Sequence, residues 1–558
     1  MQPLSHDHIA RYNPNLASPC AMMLPKEFIQ EGGVATLELG GYYEAIDSHG
    51  IDATWAAICA RIMGRLRPDL RRVDAVPVAD VDVAFSDAWS PEQLPDAYEA
   101  GLAHVDKMSK KSLGQYYTPA DTGRYMALGI RDALDGEGKV LVEPCVGCGN
   151  LLVVALRELA DPWEVMCGRM VLFDCDGTAM SVAVARAVIE FAPRGASVDM
   201  GGFDCRQGDF LLSGFHAGDG HVVISNPPYG KTSDPAYASH ETYGTRDLYP
   251  LFIEHLVGAH KAAIIVPQGF LGSRRFSSLR RMMSERAGGD IIPYDNIPAS
   301  MFNKRKHGVF NTNTSNSVRA AIVFSERGLA GSGWRVAPML RWVAAERPNL
   351  FAASDRLLEG ARRSTGEDPW PKVPASLVSL YEELSRAPRL SELVDPGGAY
   401  ELRIPSTPRY FVTAADMPLR RSAFHTLRFS DPRKRNLAYV VVNSSLSYCW
   451  WRWHDGGIMI TQRTLMDVPV PRGVGDDVDA LAESMMSSEA DRLIVKMNAG
   501  KPNENLKFSP EEIAEATRAA VPGRSEAEYA ALAASHANNL GGAVSAWVAD
   551  GTTGVPGD

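Results

Sequence analysis

The sequence predicts an open α/β sheet, doubly wound and mainly parallel, within residues 109–330 of a 558-residue chain. Three observations predict it. Short β-branched runs alternate there with amphipathic helical stretches, the pattern of a parallel sheet with crossover helices. Glycines, acids and an Asn-Pro-Pro-Tyr segment follow the ends of those runs, where open sheets bind ligands. Hydrophobic content of 45% and charged content of 22% are those of a folded globular chain.

Residues 1–108 carry helical patterns in ATWAAICARIMGRL (53–66) and QLPDAYEAGLAHVDKM (93–108) and form a helical N-terminal region. No lysine occurs between Lys26 and Lys107, which speaks against a lysine-dependent nuclease core there. The sheet is predicted from KVLVE (139–143), RMVLFD (169–174), HVVIS (221–225), KAAIIV (261–266) and VRAAIVF (318–324). Its helices are LLVVALREL (151–159), TAMSVAVARAVIEFA (178–192) and RDLYPLFIEHLVGAH (246–260). Residues 331–475 lose this alternation, gain scattered prolines, arginines and tryptophans, and form a mixed region; NLAYVVVNSSLSYCWWRW (436–453) reads as strand or helix. Residues 476–558 are helical in pattern, from VDALAESMMSSEADRLIVKM through SPEEIAEATRAA.

Eight cysteines in so long a chain make no disulfide framework. Cys145 and Cys148 form a C-x-x-C, but a zinc site needs a second ligand pair at suitable spacing. Two small residues in a tight loop is the reading kept, and no metal is expected. The N-terminus shows neither a basic nor an apolar leader segment, and no run reaches the ~18 apolar residues of a membrane span; a cytoplasmic protein without membrane association is expected. The net charge of −10 averages over faces. Positive charge is dense at Arg274, Arg275, Arg280 and Arg281, followed by Lys304, Arg305 and Lys306, and again at Arg420, Arg421, Arg428, Arg433, Lys434 and Arg435. With Phe424 and Phe429 between them, these clusters suggest a phosphate-tracking groove.

The first strand ends at Glu143, and Gly147 and Gly149 follow, suited to a tight turn that lets backbone approach a ligand. Asp174 ends the second strand, where ribose hydroxyls are accepted. Asp209 and Phe210 stand near another edge, suited to an amino group and an adenine face. Asn226, Pro227, Pro228 and Tyr229 end the HVVIS strand. Two prolines fix φ and donate no hydrogen bond, so the Asn226 and Pro227 carbonyls form a rigid acceptor pair, with the Tyr229 ring beneath.

LGQYYTP (113–119), EPCVGCGN (143–150), FDCD (173–176), GDFLL (208–212) and NPPY (226–229) resemble, in that order, the motifs of S-adenosylmethionine-dependent DNA amino-methyltransferases of the gamma class. The resemblance covers about residues 109–325 and implies a Rossmann-like catalytic domain followed by a target-recognition region over 331–475. It implies that Tyr117, Thr118, Pro119, Glu143, Gly147 and Gly149 hold the cofactor's methionine end, Asp174 the ribose, and Asp209 with Phe210 the adenine. Asn226, Pro227, Pro228 and Tyr229 would act on a flipped adenine, Phe324 would pack against it, and Arg274, Arg275, Lys304 and Arg305 would meet the DNA. Phe302 and Phe310 are rivals of Phe324. The implied cofactor is S-adenosylmethionine and the implied partner is double-stranded DNA, with a separate restriction endonuclease or other defence subunit as a further partner. Cytosine-N4 methylation, an RNA or protein substrate, and a non-catalytic DNA-binding subunit are the alternatives. Cys145 and Cys148 depart from the usual pattern and suggest an oxidation-sensitive cofactor loop.

Overall fold

The computed structural model describes residues 40–73, 81–105, 118–136, 138–296, 299–302, 318–342, 344–408, 411–455, 457, 459–471, 473, 477–498 and 501–536. Its centre is a nine-stranded sheet. The strands are β1 (Val140–Glu143), β2 (Met170–Asp174), β3 (Asp204–Gln207), β4 (His221–Ser225), β5 (Lys261–Pro267), β6 (Gly288–Pro293), β7 (Ala320–Glu326), β8 (Trp334–Val336) and β9 (Arg363–Ser364). They lie in the order β3-β2-β1-β4-β5-β7-β6-β8-β9. β7 runs antiparallel to both β5 and β6, β9 runs antiparallel to β8, and the other pairings are parallel. The mixed α/β class with a mainly parallel sheet is the one the sequence predicts.

β1, β4 and β5 are near-continuous apolar runs because helices cover both their faces. Val142, Val223 and Ile264 are all at most 1% exposed. Gly177–Phe191 forms a helix because Asp176 caps it, accepting from the Thr178 and Ala179 N–H groups. Tyr98 donates to the same Asp176 carboxylate at 2.7 Å, tying an N-terminal helix, Leu94–Val105, to the sheet's own helix layer. Tyr42, Trp55, Trp89 and Tyr98 share one apolar core with that layer.

Four strands escape the sequence pattern. β3 reads DCRQ and is largely exposed, so no apolar run marks it. β6 begins with two glycines, and β8 and β9 are three and two residues long. NLAYVVVNSSLSYCWWRW resolves into two helices, Pro432–Asn443 and Ser445–His454, broken where Ser444 turns extended and caps the second. RLIVKM, expected as helix, forms a strand, Leu493–Asn498, paired with Lys501–Leu506. Apolar residues from Val373 to Leu532 pack into one second core.

A buried charged group joins this second core to the sheet edge. Asp295, just beyond β6, accepts from Arg319 Nε at 2.8 Å and faces Arg341 Nε at 3.2 Å. Arg452, from the tryptophan-rich helix, also donates to it. None of the four residues is more than 6% exposed.

Candidate active site

β1 and β4 are neighbours at the point where the strand order reverses, and their carboxyl ends open the crevice expected of such sheets. At the end of β1 the chain turns through Gly147 (φ 50°) and Gly149 (φ 76°), a region glycine enters at little cost. Gly149 answers to a second constraint. A Cβ there would come within 2.7 Å of the Ala183 Cβ, so the loop lies against the Gly177–Phe191 helix. Arg186 of that helix, itself buried, donates to the Cys148 carbonyl at 2.5 Å and to Asn150 Oδ1 at 2.9 Å. The sequence reading missed Arg186; an arginine inside an otherwise apolar helical face was its signal.

Asp174 closes β2 and holds the loop from the other side. Its Oδ2 accepts the Gly147 N–H at 2.7 Å and its Oδ1 the Asp176 N–H at 2.9 Å. Burial raises its pKa above the ordinary carboxylate value, although both N–H groups pull the other way. Asp209 accepts from the Leu211 N–H at 2.9 Å and from the Tyr237 hydroxyl at 2.5 Å. Tyr237 is a second residue that the sequence reading missed, and it carried no signal. Phe210 is 2% exposed, stacked on Phe252 at 5.4 Å and edge-on to Phe173, so its ring serves the core.

Glu143 is 1% exposed, and its Oε2 has no hydrogen-bond partner. Burial, and then the neighbouring Asp174 charge, push its carboxyl well above the usual range. A carboxyl raised in this way favours the fold when protonated, and that contribution is lost as pH rises through the folded-state pKa. Glu143→Gln is therefore expected to raise the unfolding midpoint of the ligand-free protein at pH 8 by ~3 °C. Thermal denaturation of both proteins checks this; a lower midpoint in the variant would show that the carboxylate is already compensated.

β4 delivers Asn226 beside Glu143. The Asn226 Nδ2 donates to Thr118 Oγ1 at 3.0 Å, which fixes the plane of the amide. Cys145 Sγ donates to the Asn226 backbone carbonyl at 3.3 Å, so the first thiol of the C-x-x-C braces the strand end. Cys148 is 2% exposed. Burial holds both thiols far above their ordinary pKa, which disfavours the reactive thiolate. This counts against the expected oxidation sensitivity; among the described residues Cys167 and Cys175 are the exposed thiols, and Cys145 is half-buried. Among the described residues no group of three or more His, Cys, Asp or Glu side chains is arranged to hold a metal.

Pro227 is buried and Tyr229 half-buried. The Tyr229 hydroxyl donates to the Ile265 carbonyl at 3.1 Å. Beside its ring lies a cavity of about 230 Å³, lined also by Pro267, Gly269, Val318, Asp247 and Arg275. Phe302 meets Tyr229 edge-on at 6.0 Å. Phe324, expected at this place, is elsewhere. β7 is antiparallel, so Ala320 lies opposite Pro267 at the site end while Phe324 lies opposite Ala263. Four residues of strand put Phe324 about 13 Å away, where it packs on Tyr125 and Gly129.

The basic clusters are also largely committed. Arg275 and Lys231 both pair with the buried Asp247. Arg280 is fully buried and donates to the Phe270, Ser273, Glu367 and Asp368 carbonyls. Arg281 pairs with Glu241 and Glu285, and Arg274, Arg275 and Arg281 are all exposed. In the second cluster Arg428 pairs with Glu401 and Arg435 with Asp416, and Phe429 is in the core. Tyr117, Lys304, Arg305 and Phe310 lie outside the described residues. Among the described residues no helix is long and apolar enough to cross a membrane.

Residues 90–282 match the family model described as N-6 DNA methylase. No curated protein matches the chain. Among solved structures, the chain is similar to the methyltransferase subunit of the type I restriction-modification system from Streptococcus thermophilus, at 16% identity and a TM-score of 0.31, over 45% of this chain and 52% of that one. It is similar to the M protein of the type I restriction enzyme EcoKI, at 18% identity and 0.33, over 50% and 59%. A longer match, over 80% of this chain and 67% of the other, is to the type IIG restriction endonuclease BpuSI, at 12% identity and 0.40. The chain thus spans little more than half the length of the first two.

Proposed function

We propose that this chain transfers a methyl group from S-adenosylmethionine to the N6 amino group of adenine at a specific sequence in double-stranded DNA, with the target base flipped out of the duplex. The observation that carries the reading is the pairing of Glu143 and Asn226 at adjacent strand ends, with the glycine loop beside one and the Tyr229 cavity beside the other. The match of residues 90–282 to the N-6 DNA methylase model supports it.

Glu143 gives the fit test for the cofactor. A buried carboxyl oxygen without a donor is stabilised when a cationic or N–H-bearing group comes beside it, and the cofactor's methionine end carries both. Asp174 and Asp209 are acceptors spaced along the same crevice, one for ribose hydroxyls and one for an amino group. When bound, the cofactor supplies a methyl group on a positively charged sulfur. The chain's own residues supply the rest. The Asn226 Oδ1 and the Pro227 carbonyl accept the two amino hydrogens of adenine as positive charge develops on its nitrogen. Tyr229 and Phe302 hold the base plane. The amino proton leaves after transfer, so no buried general base is needed.

Thr118 acts through Asn226 in this scheme, a departure from the cofactor contact expected of it. Losing one neutral hydrogen bond is worth ~1 kcal/mol, so Thr118→Val is expected to lower kcat about fivefold to tenfold. The KM for S-adenosylmethionine stays unchanged, and Thr118→Ser restores the rate. A raised KM with normal kcat would return Thr118 to the cofactor.

The reading is tested by incubating purified protein with labelled S-adenosylmethionine and unmethylated genomic DNA, then identifying the modified nucleoside by mass spectrometry. N6-methyladenine is the expected product. N4-methylcytosine would keep the chemistry and change the base, and unmodified DNA would overturn the reading. We propose further that the chain works beside a restriction endonuclease or other defence subunit, which co-purification from the native host tests.

A further inference from the structure

Two imidazoles meet nitrogen to nitrogen next to Tyr237. His240 Nε2 lies 2.8 Å from His255 Nε2, an ordinary hydrogen-bond distance. The other nitrogen of each ring faces an oxygen. His240 Nδ1 is 3.0 Å from the Tyr237 carbonyl, and His255 Nδ1 is 2.6 Å from the Phe215 carbonyl. A carbonyl oxygen only accepts, so each Nδ1 carries its proton. A neutral imidazole has one N–H, which would leave two bare lone pairs facing each other across the Nε2 contact. The three contacts together need three protons on four nitrogens, one more than two neutral rings hold. His255 stands on the helix Leu248–Leu256 at 4% exposure, where such bonds must be made within the protein.

The charged groups around the pair come from three sides. Glu254, beside His255 on the same helix, accepts from the Glu241 and Thr242 N–H groups and from the Thr242 hydroxyl. Glu241, beside His240, pairs with Arg281 and Arg286 of the helix Ser277–Arg286. His216 stacks on His255 at 4.1 Å. The Tyr237 hydroxyl donates to Asp209 Oδ2 at 2.5 Å. Burial lowers the His255 pKa, and His216 and His240 lower it further, against the Phe215 carbonyl and Glu254. A second proton is repelled by the first, so the pair holds one. It releases that proton as pH rises through the range where histidine changes charge, about pH 5 to 8.

We propose that His240 and His255 share a single proton and are positioning residues for the cofactor: the protonated pair holds the Tyr237 turn, and Tyr237 holds the Asp209 carboxylate for the cofactor's adenine amino group. The path is short. Tyr237 ends the turn Pro235–Tyr237, its carbonyl takes both the ring N–H and the backbone N–H of His240, and its hydroxyl meets Asp209. Once the proton leaves, the Nε2 contact survives only if one ring gives up its carbonyl. His255 is buried and holds the shorter bond, so the half-buried His240 is the ring that lets go, and the Tyr237 turn loosens. The cofactor step rests on the role of Asp209 proposed above; the shared proton does not.

The test uses the full-length protein between about pH 5 and 9. Histidine-selective ¹⁵N NMR counts the protons on the four ring nitrogens, and calorimetry measures the Kd for S-adenosylmethionine at each pH. Three protons at the acid end and two at the alkaline end, lost in one coupled step, are expected, with the Kd rising about fivefold over that step. His240→Asn keeps a neutral N–H donor towards the Tyr237 carbonyl at every pH. It is expected to bind the cofactor at pH 8.5 about fivefold more tightly than wild type, whereas a merely structural histidine predicts weaker binding throughout. Contributions from Glu143 and Asp174 are common to both proteins and cancel in the ratio. Tyr237→Phe cuts the path, so adding His240→Asn to it changes the affinity no further. Two rings that titrate independently, or an Nδ1 bare at acid pH, overturn the shared proton. An affinity whose pH dependence is the same in wild type and His240→Asn overturns the positioning role. Cofactor binding as expected in a protein that leaves DNA unmethylated keeps this inference and removes the proposed reaction; no cofactor binding at any pH removes the positioning role, while NMR still decides the shared proton.

Discussion

Asn226→Ala is expected to lower the rate of adenine methylation by about 10²–10³-fold, the usual cost of removing one preorganised group that faces developing charge. Binding of S-adenosylmethionine should change less than threefold, since Glu143, Asp174 and Asp209 are separate from the amide. The structure makes the substitution clean. Asn226 spends its Nδ2 on Thr118, while its backbone carbonyl is held by Cys145, so truncating the side chain leaves the strand end braced. Single-turnover rates with saturating cofactor and duplex measure the chemical step alone. A variant that retains a tenth or more of the wild-type rate would place the acceptor pair elsewhere. Asn226→Asp is the sharper companion. It keeps the shape and an acceptor but loses the Nδ2–H donor to Thr118, and its charge would be buried beside a Glu143 carboxyl already raised by burial and by Asp174.

The sheet was legible because its central strands are buried on both faces and must be apolar throughout; β1, β2, β4, β5 and β7 all fall within two residues of their predicted bounds. β3 was not, because DCRQ lies at the sheet's edge and meets solvent. The site's acids and glycines stood out because they interrupt apolar runs at the strand ends. Phe324 was misplaced for a topological reason. A strand read as parallel would carry its last residues to the site, whereas the antiparallel β7 brings its first residue there, and the neighbouring loop residue Phe302 meets Tyr229. Arginine clusters were the least legible feature. A run of basic residues does not show which of them find carboxylates or backbone carbonyls, and Arg280 proves to be a buried structural tie. The same limit applies to the tryptophans of SLSYCWWRWH. The resemblance implied a target-recognition region there, but Trp450, Trp451 and Trp453 are at most 2% exposed and build the second core.

Asp295→Asn is expected to cost about 3–5 kcal/mol of stability, the range seen when one partner of a buried ion pair is removed. The reason is asymmetry. Asn keeps the shape and one acceptor oxygen, yet it removes the negative charge on which Arg319, Arg341 and Arg452 converge inside the protein. Burial pushes the Asp295 pKa up, and the guanidiniums of Arg452, Arg319 and Arg341 together pull it further down, so it settles below the ordinary carboxylate value. A depressed folded-state pKa stabilises the fold above the unfolded value near 3.9 and loses that contribution as pH falls through the folded one. Wild type should therefore show an acid-dependent loss of stability below about pH 4 that is weaker in the Asn variant. Urea unfolding at pH 7 and along a descending pH series measures both effects. A loss under 1 kcal/mol at pH 7, with acid limbs of equal slope, would mean that the three arginines reach solvent. The joint between the sheet edge and the tryptophan-rich helix would then rest on apolar packing rather than on this carboxylate.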